Sequence, residues 1–185
     1  MRMISVSNDP LLAIARFIIL AGQGLMALAA IALVAGLPLV IVMQEEITTQ
    51  LRAEYSDPAL LFPLAPVVGI MVVALAIVAL TFLFLRKLRQ IVDTVGAGDP
   101  FVPGNAVRLT AMAWLMLAVE ILSILIAVLA YNVMRAVETA VSKSDLSLDF
   151  SSVDLSGIIL VVTLFILARV FRAGTRMRDD LEGTV

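Results

Sequence analysis

Cysteine and histidine are both missing from the 185 residues. Their absence excludes disulfides, thiolate and imidazole metal sites, haem held through histidine, and every Ser–His or Cys–His nucleophile arrangement. Charge is scarce, at 15% of residues, and the net balance of −2 is too small to imply a polyanionic partner. The chain also lacks a phosphate-cradling glycine loop, an HExxH zinc motif and the paired intramembrane aspartates of a protease. No enzymatic activity, metal or cofactor is therefore expected.

Apolar residues are what the chain has instead, 62% of the total. They gather into four runs, at about 17–43, 60–85, 109–131 and 155–171, each cut off by charge. A helix rises about 1.5 Å per residue, so about 20 apolar residues cross a hydrocarbon core of about 30 Å. Three runs meet that length outright, and the fourth meets it with its ends counted generously. The expectation is an all-α integral membrane four-helix bundle, forming a single transmembrane domain over 1–185. A signal h-region is about 7–15 residues long, and the first run is nearly twice that, so it reads as an uncleaved span.

Basic residues give the orientation. Ten of the thirteen fall at the N-terminus, in the 86–108 connection and in the C-terminal stretch from Arg169 onward; only Arg52, Arg135 and Lys143 fall in the other two connections. The positive-inside rule then puts both termini and the 86–108 connection in the cytoplasm. Acids lean the other way, with Glu45, Glu46, Glu54 and Asp57 in the first outer connection and Asp145, Asp149 and Asp154 in the second.

Local signals refine the spans. Small residues crowd span one, and Ala32 and Gly36 stand four apart, as do Ala65 and Gly69 in span two, a spacing that lets helices approach closely in lipid. Pro38 should kink or tilt span one, and Ile47, Leu51 and Tyr55 carry helical spacing outward. Pro63 and Pro66 suit the first turn of span two. Leu88, Ile91, Val92 and Val95 extend that helix into the cytoplasm by two or three turns, until Gly96 and Gly98 stop it and Asp99-Pro100 opens a turn. Asn105 suits the N-cap of span three. Val133, Met134, Val137 and Val141 continue span three outward, and the period-two stretch 146–151 fits a short extended piece.

Glu120 is the one ionisable side chain deep within a span. An ionised carboxylate in hydrocarbon costs several kcal/mol, so it must face the bundle, carry a proton, or both. It is either a proton, ion or ligand site or a structural hydrogen-bonding group, with Gln23, Ser123 and Thr163 as polar partners at compatible depth. Trp114, inside span three, reads as packing. Arg169, Arg172 and Arg176 share one face of a continued helix, where they would either bind anionic lipid headgroups and fix orientation or receive the acidic side of a cytoplasmic partner. Arg86, Lys87, Arg89 and Arg169 suit lipid headgroups. The acids Asp179, Asp180 and Glu182 follow at once, and such a mixed-sign tail suits a defined protein contact.

Two stretches carry a family resemblance: Gly98-Asp-Pro-Phe-Val-Pro-Gly-Asn-Ala-Val-Arg-Leu109 and Leu167-Ala-Arg-Val-Phe-Arg-Ala-Gly-Thr-Arg-Met-Arg-Asp-Asp-Leu-Glu-Gly-Thr-Val185. Together they resemble the bacterial four-span membrane family known as Domain of Unknown Function 2975, well over the second half and by hydropathy over the first. The resemblance implies an inner-membrane protein encoded beside a small Xre/Cro-like helix-turn-helix regulator, which it would hold or control. The expected contact residues are Asp99, Pro100, Phe101, Asn105, Arg108, Phe171, Arg172, Arg176, Arg178, Asp179, Asp180 and Glu182. Without a basic DNA-reading helix, the chain itself should not touch nucleic acid. Two other readings stand beside this one: a small-molecule or proton-responsive sensor or transporter subunit centred on Glu120, and a homo-oligomer packed through span one.

Overall fold

In hydrocarbon a backbone must satisfy its own polar groups, and a helix does so within one segment. The computed structural model, which describes residues 10–55, 58, 60–141 and 155–182, is helical wherever the sequence is apolar. Four helices follow in order: α1 (Pro10–Tyr55), α2 (Leu64–Gly96), α3 (Pro103–Val141) and α4 (Leu155–Glu182). All four are long and apolar enough to cross a membrane, and no strand occurs among the described residues. The period-two stretch 146–151 lies outside the described residues.

Local chemistry sets the helix ends. Pro66 sits in the first turn of α2, where a missing N–H costs nothing. At the other end Gly98 takes φ +85°, a left-handed conformation that glycine adopts without a Cβ clash. Gly98 N–H donates to the Val95 carbonyl at 3.0 Å and Asp99 N–H to the Thr94 carbonyl at 3.2 Å, the paired bonds of a Schellman stop. The start of α3 differs from expectation. Pro103 takes the first helical position, so Asn105 lies inside the first turn and is not the N-cap. Proline's fixed φ and missing donor suit that position better than any residue two places on. Pro38 lies within α1, which continues to Tyr55.

The chain divides into two compact units. The first comprises Met1–Ala27, Leu80–Glu120 and Asp154–Val185. Its core is Ile91, Leu109, Met112, Ala113, Leu164 and Ala168, with Phe84, Leu88, Val95, Met116, Phe165 and Phe171 packed around them. Trp114 is 60% exposed and meets Phe165 edge to face at 5.6 Å, a packing role. The second unit comprises Leu28–Ala79 and Ile121–Val153. There Gly36 lies beside the Met71 side chain and Gly69 beside Leu129, while Ala32 and Ala65 are exposed. Arg52 Nε donates to the Leu60 carbonyl at 2.8 Å, tying the end of α1 to the approach to α2.

Large apolar side chains are exposed all along the helices, among them Phe17, Ile31, Val42, Ile121 and Ile159. In water such a surface would aggregate; in lipid it costs nothing, because hydrocarbon solvates it as well as a protein core does.

Candidate functional site

The structure draws the sequence's marked residues together at the α2–α3 turn and the adjoining end of α4. Asn105 is the centre of this cluster and is fully buried. Its amide nitrogen donates to Thr94 Oγ1 at 2.8 Å and to the Pro100 carbonyl at 2.9 Å, and its Oδ1 accepts from Arg108 at 2.7 Å. Thr94 in turn donates to the Ile91 carbonyl. The amide thus joins the end of α2, the turn and the start of α3, with every donor and acceptor used. Asn105 is enclosed, so its part in any partner contact is to hold the turn's shape.

α4 grips the same turn from a second direction. The Thr175 hydroxyl lies 3.0 Å from the carbonyls of both Phe101 and Phe171, sharing one proton between them. The Phe101 ring lies 5.5 Å from that of Phe171 and directly over Gly174, where any Cβ would strike it. Arg178 bonds to the Asp99 carboxylate, half-exposed, across 79 positions of sequence. Phe101 nevertheless remains 40% exposed and Met177 62%. Arg172, Arg176 and Asp180 are exposed; the side chains of Asp179 and Glu182 lie outside the described residues.

On the other flank, Arg16 of α1 bonds Asp93 of α2 at 3.0 Å, and Arg89 stands 4.0 Å from the same carboxylate. Gln23, Phe82, Arg86, Arg89, Gln90 and Asp93 line a recess of about 400 Å³ there. Lys87 is half-buried.

Glu120 finds a partner that no search among polar residues would suggest. Its carboxylate lies against Gly157, in the first turn of α4, so closely that a Cβ at that position would overlap it. The first N–H groups of a helix lack intrahelical acceptors and carry partial positive charge, which favours a carboxylate nearby. Thr163 donates to the Ile159 carbonyl of its own helix, and Ser123 is exposed. Sequence reasoning therefore missed Gly157, Gly174, Thr94, Thr175 and the Arg16–Asp93 pair.

Four long apolar helices, with polar bonding concentrated at one turn, define a multi-pass membrane protein. Residues 43–185 match the model of the family described as "Protein of unknown function (DUF2975)". That is more than half the chain, and the protein belongs to this family. The match takes in all of α2 as well as the two stretches that carry the resemblance. No curated protein and no solved structure matches the chain.

Proposed function

We propose that this is a regulatory protein of the bacterial inner membrane that docks a small cytoplasmic helix-turn-helix regulator on the face formed by the α2–α3 turn and the end of α4. One observation carries the reading: a connecting turn is held rigid by a buried amide, a buried hydroxyl and an ion pair, yet offers Phe101 to solvent. A loop serving only as a tether needs no such support; a preorganised surface does, since ordering cost is avoided on binding. Phe101, packed over Gly174, and the exposed Met177 one turn further along α4 supply an apolar centre, and Arg178, Asp99 and Asp180 a charged rim, the anatomy of a protein contact. The excess of basic residues on this side supports a cytoplasmic location.

The test is recovery of the regulator encoded beside this protein from detergent extracts of cells carrying the tagged full chain. F101A combined with M177D should cut that recovery at least about tenfold, as expected for removal of a central anchor. Full recovery with the double variant would end the assignment of this surface.

A second reading is favoured by the Glu120–Gly157 contact: a half-buried carboxylate set against a helix start is a place where a cation or proton could alter how α3 meets α4. Glu120→Gln should then change the regulator's recovery without touching the docking surface. An unchanged recovery leaves Glu120 a structural group.

A further inference from the structure

A lengthwise stripe on α4 is used neither by the fold nor by the docking face. Val162, Ile166, Arg169, Arg172 and Arg176 succeed one another at intervals of four, three, three and four, so they share one side of the helix. The stripe is apolar at one end and basic at the other. Val162 and Ile166 are 51% and 59% exposed, and the three arginines are exposed as well. The arginines open onto a recess of about 410 Å³ completed by Thr110 of α3 and by Phe165 and Ala168. Ala168 belongs to the buried core and Phe165 packs against it, so the floor is fixed. Thr110 donates to the Ala106 carbonyl, which leaves its oxygen free to accept.

Several neighbouring arginines are answered within the protein. Arg16 and Arg89 face Asp93, Arg178 bonds Asp99, and Arg108 donates to Asn105. Among the described residues, Arg169, Arg172 and Arg176 have no such partner. Three like charges at helical spacing repel one another, and a shared anion removes that repulsion. Guanidinium forks match phosphate oxygens in pairs. Arg169 and Arg176 are separated by roughly 10 Å of helix rise, a spread that suits two phosphates better than one. The apolar end of the stripe runs on from the basic end, as acyl chains run on from a headgroup.

We propose that this stripe binds an anionic phospholipid carrying two phosphates on one headgroup, the phosphates on Arg169, Arg172 and Arg176 and the acyl chains along Ile166 and Val162. The site stands apart from the docking reading: it takes Arg172 and Arg176 for lipid and leaves Phe101, Met177 and Asp99 to the regulator.

Native mass spectrometry of the full chain in neutral detergent tests it, with diphosphatidylglycerol, phosphatidylglycerol and phosphatidylcholine as probes and pyrophosphate as competitor. One diphosphatidylglycerol should be retained in preference to the other two lipids. Each Arg→Gln change should weaken it about fivefold, and R169Q/R172Q/R176Q roughly a hundredfold, with unchanged helical circular dichroism. I166E keeps all three arginines and should weaken the lipid all the same. R16Q, which removes an arginine already paired with Asp93, should bind as the parent does. Undiminished binding by the triple variant or by I166E would overturn the proposal. So would a loss in R16Q equal to that of a single stripe variant, which would mean diffuse charge, or displacement of the lipid by equimolar pyrophosphate, which would mean a soluble diphosphate ligand.

Discussion

Each of the two units of this chain coheres internally by different means. In the first, which contains the α2–α3 turn, lie nearly all the buried residues, from Ile19 and Ile91 through Asn105 and Met112 to Leu164, Ala168 and Thr175. In the second, Leu60 is the one buried residue among those described, and the helices meet at glycines, Gly36 against Met71 and Gly69 against Leu129. The contrast teaches where specificity resides in a membrane protein. Lipid solvates apolar side chains as well as a protein interior does, so burial alone cannot select one arrangement of helices. Buried polar groups can, because an unmet donor or acceptor has no water to turn to. Polar substitutions should therefore be severe in the first unit, and packing substitutions mild in the second.

The largest effect should come from Asn105→Ala. It strips the partner from the half-buried Pro100 carbonyl, Thr94 and Arg108 at once, around a side chain that itself has no solvent access. Unmet buried groups cost about 1–3 kcal/mol each, so a loss of about 2–4 kcal/mol is expected after partial relaxation. Thermal unfolding in detergent reads it as a lowered midpoint. An unchanged midpoint would remove the distinction between the two units.

Next in size is Gly157→Ala. The new methyl must displace the Glu120 carboxylate from the start of α4, an overpacking cost of about 1–3 kcal/mol. The sharper measurement is the double-mutant cycle with Glu120→Ala, since removing the carboxylate should restore most of what the methyl costs. Additive losses would mean that the contact carries no coupling between α3 and α4. Gly36→Ala is the counterpart in the second unit. Its methyl would meet only the end of the Met71 side chain, at 3.2 Å, and methionine yields readily. Alanine also favours helix over glycine by about 1 kcal/mol, so Gly36→Ala should fall within about 1 kcal/mol of the parent. A loss as large as that of Gly157→Ala would break the comparison from the other side.

How much of this was legible in the sequence follows from the range of each interaction. The four spans were visible because lipid thickness imposes a length on every apolar run. The stop at Gly98 was visible because turn chemistry is local. Asn105 drew notice as a polar residue ahead of a span, but its role was misread: Pro103 had already taken the helix start, and the amide's partners lie up to 11 residues back. Arg169, Arg172 and Arg176 could be put on one face by spacing, whereas nothing local links Arg178 to Asp99. Glu120 stood out as a lone acid, yet its neighbour is a glycine, selected for having no side chain, and a search for polar partners passes over it.

The smallest effect should belong to the Arg178–Asp99 pair, although it joins the most distant positions. Both side chains are nearly half exposed, 46% and 41%. Water competes for each charge and two long side chains lose freedom, so pairs of this kind contribute about 0.2–1 kcal/mol. D99N and R178Q, measured singly and together, should give a coupling in that range at low salt. Ionic screening should erase it at high salt, because the screening length shrinks to about 3 Å at 1 M. The Asn105→Ala loss should largely persist under the same conditions, since the amide is neutral and enclosed. A salt-resistant coupling between Asp99 and Arg178 would instead mean that the pair is desolvated, and the turn would then be held from α4 as firmly as it is from Asn105.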